Sequence, residues 1–344
     1  MKQALNFTTE TIPGPDELVS VTDGIQWLRL PLPFALNHVN VWLLADGVAG
    51  HTVIDTGLNT DQNRNQWDSL LRHGAMKDEV INRVLVTHFH PDHMGLAGWL
   101  CERFSVPLWA PRADWMKARI LSCDDSDRLT AAGVEFYRRL GVSTQALLNI
   151  AQRGNLYTLG VSPVPRSYRR LVDQEIITIG DTDWRVITTP GHAPEMACLY
   201  APTRNILIAA DHILPEISPN VSVWGDEPDA NPLQEFRQSL AKVKQLVPAD
   251  CLVLPSHGRP FYGLHDRIDW LDHHHDERLA ETLKACATPV TGKDVMVQLF
   301  ARRLDAQQWG FAMGETVAHL NYLIATGQIT KKEDADGILF FEAI

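Results

Sequence analysis

The chain has 344 residues, of which 45% are hydrophobic and 21% charged, and this composition excludes a largely disordered protein. Its length predicts one large domain or two unequal ones, with a core that needs no disulfide bonds. The formal net charge of −11 argues against a general nucleic-acid-binding protein, because phosphate repels an acidic surface.

The five cysteines are widely spread and include no Cys-x-x-Cys pair. An odd number of dispersed cysteines favours buried free thiols in a reducing compartment. The first 17 residues lack the basic and then apolar pattern of a signal peptide. No apolar run reaches the roughly 18–20 residues of a membrane span. We therefore expect a soluble, cytoplasmic protein that does not bind membranes.

Short apolar runs alternate with turns in the first third of the chain, which predicts several strands with helices between them. The strands are expected at 25–30, 39–44, 52–54 and 80–86, and the helices at 61–73 and 94–104. The last of these strands runs directly into a polar segment, residues 87–93. A polar loop between a strand and a helix is where α/β folds commonly bind ligands.

Residues 112–172 differ in character, with helices expected at 127–140 and 144–153. This segment carries ten Lys and Arg against five Asp and Glu, a net charge of +5, so the rest of the chain carries −16. A basic surface would attract an anionic substrate. The alternative is that these arginines pair with neighbouring acids on helix surfaces.

Strands return after this segment, and the chain then ends in helices. The strands are expected at 174–179, 184–188, 197–200, 206–210 and 251–254, and the helices at 232–246, 265–284, 293–304 and 314–326. A linker is expected at 288–292 and a short hairpin around 335–337. Two helices and a hairpin in about 50 residues predict a small winged-helix-like domain at 286–344, after a main domain at 1–285.

The strongest chemical signal is the motif His88-x-His90-x-Asp92-His93. Three imidazoles and a carboxylate within six residues suit a divalent metal such as zinc. Alternate residues of an extended chain point the same way, so His88 and His90 can converge on one ion. Asp92 and His93 lie where the chain turns into a helix and can face a second ion.

Three further candidates, His192, Asp211 and His257, each follow a predicted strand. Any one of them alone would more often be a hydrogen-bonded core or surface residue. Their shared placement after strands is what makes them candidate ligands. By contrast, the run His273-His274-His275 lies on a predicted helix, where consecutive side chains point about 100° apart and cannot converge on one ion. We expect this run to lie on a solvated helix face.

Five segments of the chain, in order, resemble the motifs of the metallo-β-lactamase superfamily. They are Val53-Ile54-Asp55-Thr56-Gly57, residues 87–93, Pro190-Gly191-His192, Ala210-Asp211 and Ser256-His257-Gly258. The resemblance covers about residues 52–258. It implies an α+β fold, a four-layer αββα sandwich with a binuclear metal site at one edge. Residues 112–172 would then be a helical insertion that lies over the site as a lid.

The resemblance also implies a ligand set. One ion would take His88, His90 and His192, the other would take Asp92, His93 and His257, and Asp211 would bridge the two. Asp55 would orient the metal-binding loop and a ligand imidazole, or would simply form the turn before Thr56 and Gly57. We expect two divalent ions, Zn²⁺ in the first place, with manganese and iron as alternatives.

Two divalent ions about 3.5–4 Å apart hold a bridging hydroxide that attacks an electrophilic carbonyl or phosphorus. Asp92, a ligand with a free oxygen, would orient this nucleophile or carry a proton. A bridging Asp211 without a cysteine ligand resembles the glyoxalase II, lactonase and nuclease branches rather than true β-lactamases. We expect a hydrolase of small anionic acyl thioesters or esters. An endoribonuclease or phosphodiesterase and a lactonase are the alternatives, and the intact ligand set disfavours a regulatory protein without turnover.

Candidate substrate contacts beyond the metals are Tyr168, His212, Arg259 and Phe261. Tyr168 or His212 would donate a hydrogen bond to a developing oxyanion, but each is equally a candidate for packing. Residues 285–344 carry five Lys and Arg against seven acids, whereas a nucleic-acid-binding winged helix is usually basic. We therefore expect this domain to be a structural cap on the catalytic domain or on the second subunit of a homodimer, with a small molecule rather than nucleic acid as partner.

Overall fold

The structure, a computed structural model, describes residues 5–77, 79–301 and 304–344. Its strands are β1 (Asn6–Phe7), β2 (Val19–Thr22), β3 (Ile25–Pro31), β4 (His38–Ala45), β5 (His51–Ile54), β6 (Ile81–Leu85), β7 (Leu108–Pro111), β8 (Tyr168–Leu171), β9 (Ile176–Ile179), β10 (Thr182–Thr188), β11 (Ala197–Ala201), β12 (Ile206–Ala210), β13 (Leu252–Pro255), β14 (Phe261–Tyr262), β15 (Val290–Thr291), β16 (Ile329–Glu333) and β17 (Leu339–Ala343). Its helices are α1 (Asp61–Arg72), α2 (Pro91–Met94), α3 (Ala97–Phe104), α4 (Arg112–Cys123), α5 (Ser126–Arg139), α6 (Thr144–Ala151), α7 (Tyr157–Gly160), α8 (Pro232–Leu246), α9 (Leu264–Ala285), α10 (Gly292–Leu299) and α11 (Ala306–Ala325).

Two sheets of seven strands form the centre of the protein. One has the order β2-β3-β4-β5-β6-β7-β8, and the other has the order β1-β14-β13-β12-β11-β10-β9. Their inner faces bury a shared cluster that includes Trp27, Trp42 and Trp184. The outer face of the first sheet packs on α1 and α3, and that of the second packs on α8 and α9. The expected mixed α and β sandwich is therefore confirmed.

The strand directions bring five chain segments to one edge of this sandwich. β5 and β6 are parallel neighbours, and so are β12 and β13. β10 runs in the direction of β12, because each is antiparallel to β11 between them. The carboxyl ends of these five strands therefore lead to the five motif segments at the same edge.

The structure differs from the predicted elements mainly at short edge strands and at helix ends. Residues 168–171 form β8 rather than continuing the helical segment, because they pair with β7 in parallel. The helix expected at 94–104 is divided into α2 and α3, and the helix expected at 314–326 begins eight residues earlier, as α11. The helix expected at 293–304 ends at Leu299 as α10, and residues 302–303 lie outside the described chain.

Residues after α9 form α10, α11 and a three-stranded sheet of order β15-β17-β16. Their side chains do not build a separate core. Val295, Met313 and Phe341 belong to the same buried cluster as Phe236 of α8 and Leu271 of α9. None of the helices among the described residues combines the length and the apolar character needed to cross a bilayer.

The histidine run on α9 corrects the expectation of a solvated helix face. His273 is exposed and pairs with Glu277, but His275 is fully buried. His275 shares its helix face with Leu271 and Leu279, four residues before and after it, so the rotation of the helix turns it into the core. Among the cysteines, all five are free thiols, but Cys123 is exposed rather than buried.

Candidate metal centre

The metal-ligand candidates converge at the edge where the five strands end. Three sets of donor atoms lie close enough together to hold an ion, with the atoms of each set within 4.8 Å of one another. These sets are His88, His90 and His192; His88, His93 and Asp211; and Asp92, His93 and His257. All seven residues named from the sequence are therefore brought together.

Asp211 lies between the two groups of imidazoles. Its Oδ2 is 3.4 Å from His192 Nε2, whereas its Oδ1 is 3.3 Å from His257 Nε2 and 3.6 Å from His93 Nε2. Asp92 Oδ2 lies 3.5 Å from both His93 Nε2 and His257 Nε2. The two oxygens of Asp211 thus face different donor sets, which suits a carboxylate that bridges two ions.

Hydrogen bonds at Nδ1 set which nitrogen of each imidazole faces the cluster. His93 Nδ1 bonds Asp55 Oδ2 at 2.8 Å, His192 Nδ1 bonds the Asn220 carbonyl at 2.7 Å, and His257 Nδ1 bonds the His38 carbonyl at 2.7 Å. An oxygen acceptor requires a proton on Nδ1, so the lone pair of each ring is left on Nε2. A neutral imidazole held in this way is prepared to bind a metal.

Asp55 connects two parts of the centre. Its Oδ1 accepts the Thr87 backbone N–H at 2.8 Å, while its Oδ2 holds His93. Asp55 follows β5 with φ +62, a left-handed conformation that costs free energy in any residue other than glycine. The carboxylate therefore holds both the metal-binding loop and one ligand imidazole from a strained position.

Electrostatics shift the pKa values of the donors in different directions. Burial, together with the neighbouring histidines, holds the pKa values of His88 and His90 well below the ordinary value. Burial would raise the pKa of Asp211, but His257 and His93 hold it well below the usual range. Burial would lower the pKa of His93, but Asp92, Asp55 and Asp211 raise it well above the ordinary value, so a metal ion would bind this imidazole in place of a proton.

The same cluster contains buried polar atoms that protein groups do not satisfy. His93 Nε2, His192 Nε2 and Asp211 Oδ1 have no hydrogen-bond partner within the described ranges. Buried polar atoms are nearly always paired because an unpaired one costs free energy. Nitrogen and carboxylate donors at these positions fit divalent ions of the zinc type. We conclude that the residues present fit a centre for divalent metal.

The four candidate substrate contacts fall in different places. Tyr168 pairs with Leu108 at the beginning of β8, away from the edge where the strands end, and stacks on Trp115. Phe261 and His212 are fully buried, and burial lowers the pKa of His212 to about 3. Arg259 follows His257 by two residues and pairs with Glu10. The structure therefore brings Arg259 to the flank of the centre and places Phe261 in the core.

Several residues that hold the centre carry no signal in the sequence. Asn40 is fully buried and donates to the carbonyls of Pro255 and Gly258 on either side of His257. Asn220 supplies the carbonyl that holds His192. A single polar residue in a strand or a loop has no periodic pattern or motif, so only the fold reveals these contacts.

Five of the ten basic residues of 112–172 form ion pairs among those that the described residues show. The ion pairs are Lys117 with Asp226, Arg138 with Glu135, Arg139 with Glu333, Arg169 with Glu175 and Arg170 with Glu195. Four of the five acids lie outside the segment, so these pairs also attach it to the rest of the protein. The net charge of +5 therefore overstates the positive charge that this surface presents.

Comparisons with known proteins agree with this geometry. Residues 35–257 match the family model described as the metallo-beta-lactamase superfamily, and residues 279–344 match the metallo-beta-lactamase-like C-terminal domain. A beta-lactamase domain protein of Burkholderia ambifaria, known by crystal structure, is 38% identical with a TM-score of 0.90, over 99% of this chain and 98% of that one.

Two curated proteins are more distant. The probable metallo-hydrolase YqjP of Bacillus subtilis is 24% identical over 93% of this chain and 98% of its own length. The acyl-coenzyme A thioesterase MBLAC2 of Bos taurus is 27% identical over 56% of this chain and 64% of its own length. Because the superfamily model matches well over half of the residues, and the seven metal donors all lie within the matched segment, this chain belongs to the metallo-β-lactamase superfamily of metal-dependent hydrolases.

Proposed function

We propose that this protein is a hydrolase of small, anionic acyl thioesters that works with two Zn²⁺ ions. The observation that carries the binuclear part is the position of Asp211, whose two oxygens face different donor sets. One ion would be held by His88, His90 and His192, the other by Asp92, His93 and His257, with Asp211 between them. When bound, two such ions activate water and polarise a carbonyl oxygen.

The protein's own residues would orient the reacting groups. Asp55, Asn220 and the His38 carbonyl fix the imidazoles, so little reorganisation accompanies the reaction. The Asp92 side chain is 19% exposed, against 9% for Asp211 and 1% for Asp55. Asp92 is therefore the carboxylate with access to solvent, and we assign it the proton that leaves the attacking water.

Residues 112–167 would form the roof of the substrate site. Lys117 of α4 pairs with Asp226, and Phe136 of α5 lies against Gly225, on the loop that follows the His192 partner Asn220. The segment thus reaches from the first sheet to the far side of the metal edge. A roof of this kind would exclude water from the reaction and select small acyl groups.

The thioester preference is supported by the acyl-coenzyme A thioesterase among the relatives. An aspartate rather than a cysteine at position 211 disfavours β-lactam hydrolysis. The free thiols support a cytoplasmic location. We also propose that residues 286–344 are a winged-helix-like cap on a catalytic domain at 1–285, since their core is continuous with that domain.

A panel of substrates tests this proposal. The zinc-loaded protein would be assayed with acyl-coenzyme A thioesters, an acyl-glutathione, lactones and a structured RNA. We expect hydrolysis of the thioesters, with the released thiol measured by a colorimetric reagent. Turnover of lactones alone, or RNA cleavage with an affinity that falls steeply with salt, would replace the thioesterase with one of the alternatives. The described lysines of the C-terminal region pair with acids, which disfavours the RNA outcome.

A further inference from the structure

The sequence gives no role to Asp114, a fully buried carboxylate in the first turn of α4. An acidic residue in the first turn of a helix usually stabilises that helix, through the helix dipole. Asp114 instead accepts three backbone N–H groups from two other segments. Its Oδ1 accepts from Phe89 at 3.1 Å, and its Oδ2 accepts from Glu195 at 3.1 Å and from Met196 at 2.8 Å.

Both of these segments carry metal-ligand candidates. Phe89 lies between His88 and His90, and Glu195 follows His192 by three residues. The segments belong to different sheets, since one follows β6 and the other lies between β10 and β11. A single carboxylate therefore ties together the two loops that supply one complete donor set.

We propose that Asp114 is a positioning residue that fixes the backbone of both loops, so that the imidazoles of His88, His90 and His192 meet at one point. This inference rests on the metal centre of the proposed function and adds a residue that acts on it through the backbone. By this inference, the first turn of α4, at the beginning of the 112–172 segment, helps to build the metal centre. This holds whether or not the rest of the segment lies over the substrate site.

Two further contacts strengthen the attachment. The Tyr157 hydroxyl of α7 donates to the Phe89 carbonyl at 2.7 Å, so the residue between two ligands is held on both its N–H and its C=O. The Ala113 N–H donates to Glu195 Oε2 at 2.8 Å, and Arg170 holds the other oxygen of Glu195 at 3.0 Å. α4, α7 and β8 thus all hold the loops from the same side.

The chemistry of the contacts makes Asp114→Asn a sharp test. A carboxylate accepts on both oxygens, one for each loop, whereas an amide of the same shape accepts on one side and presents N–H on the other. The variant must therefore release either Phe89 or the Glu195 and Met196 pair. Tyr157→Phe is the milder variant, because it removes one hydroxyl and keeps the ring.

Two readouts separate positioning from general stability. Backbone hydrogen exchange in the metal-free protein reports whether residues 87–93 and 190–197 are held, and titration with Zn²⁺ against a chelating dye reports the affinity of the centre. For Asp114→Asn we expect faster exchange confined to these two segments and an affinity for Zn²⁺ that is lower by about 10-fold or more, as for other residues that orient ligands. Tyr157→Phe should show the same pattern, smaller and confined to 87–93.

Thr282→Val is the matched control. It removes the hydrogen bond that the buried Thr282 hydroxyl donates to the Arg278 carbonyl on α9. It should leave exchange in both loops and the Zn²⁺ affinity unchanged. The inference would be overturned if the amide exchange rates of both loops in Asp114→Asn and in Tyr157→Phe equalled those of wild type. It would also be overturned if Asp114→Asn bound Zn²⁺ with the wild-type affinity. If wild-type protein binds no Zn²⁺, the proposed function fails, while the exchange measurement still decides whether Asp114 holds the loops.

Discussion

At the scale of single residues, the metal centre depends on side chains that never reach its donor atoms. The imidazole of His192 is oriented by the Asn220 carbonyl at 2.7 Å. The Asn220 side chain in turn contacts Glu315 Oε2 at 3.4 Å. Burial raises the pKa of Glu315 to about 7, although Arg278 and Asn220 lower it. A carboxyl group on the C-terminal helix is thus joined to the centre through one residue.

Glu315 should make the stability of the metal-free protein depend on pH. Its pKa in the folded state, about 7, lies above the ordinary 4.5, so the folded state binds more protons than the unfolded state between these values. The stabilisation is complete below about pH 4.5 and is lost as the pH rises through 7. Glu315→Gln should therefore lose less stability than wild type between pH 5 and pH 8. Urea unfolding midpoints measured with a chelator check this, and equal losses in the two proteins would contradict it.

Sequence reasoning identified residues with a local pattern, or with a shared placement after predicted strands. His88, His90, Asp92 and His93 stand within six positions, and donors of that kind are rarely placed together by packing alone. Asp114 has no signal in the sequence because it is a single carboxylate that accepts backbone N–H groups of distant segments, and Asn220 has none because it acts through its own backbone carbonyl. The metal ligands can be recognised in the sequence. The residues that orient these ligands cannot, because their contacts depend on which loops the fold brings together.

At the scale of elements, helix α11 supports the loop that holds His192. The Val223 N–H donates to the Gly314 carbonyl at 3.1 Å, and Ser222 and Asn220 both donate to the Phe311 carbonyl at 3.4 Å. A Cβ added to Gly314 would lie 2.7 Å from Ser222 Cβ and 3.0 Å from the Val223 carbonyl oxygen. The helix and the loop can approach this closely only because residue 314 has no side chain.

Gly314→Ala should weaken the centre through this loop. The added methyl group pushes residues 220–223 away from α11 and moves the carbonyl that orients His192, so we expect Zn²⁺ affinity to fall by about 10-fold. The measurement is a Zn²⁺ titration against a chelating dye. Gly310→Ala is the control on the same helix, because among the described residues its Cβ would meet just the Tyr137 hydroxyl, at 3.8 Å, and alanine favours a helix. Equal affinities in the two variants would show that α11 does not act on the centre.

Many of the secondary-structure elements that the sequence did not predict are strands at the edges of the sheets. β8 includes Arg169 and Arg170, and such charges usually indicate a loop. In the structure, the Arg169 guanidinium lies over Trp109 of β7 and pairs with Glu175. Edge strands tolerate charged residues, since one side of the strand is open to solvent. Most of the buried central strands are predicted from their apolar runs, but the interior strand β7 is not.

At the scale of the whole molecule, the metal edge is held by three parts of the chain that are far apart in sequence. The two sheets supply the donors, residues 112–167 hold the loops after β6 and β10, and α11 holds the loop at 220–223. The C-terminal residues also complete the hydrophobic cluster on the outer face of the second sheet. The net charge of −11 does not describe this arrangement, because basic residues of 112–172 pair with acids of other segments.

The central claim is that the centre holds two metal ions, and metal content tests it most directly. Wild type and Asp211→Ala are loaded with Zn²⁺, loosely bound ions are removed, and the ions per chain are measured. Asp183→Ala, an exposed aspartate at the opposite end of β10, serves as the control. We predict two ions per chain in wild type and in the control. Asp211→Ala should hold fewer than two and lose at least about 100-fold in hydrolysis rate. An Asp211→Ala protein that keeps both ions and the wild-type rate, or a wild-type chain that holds fewer than two, would contradict the binuclear assignment.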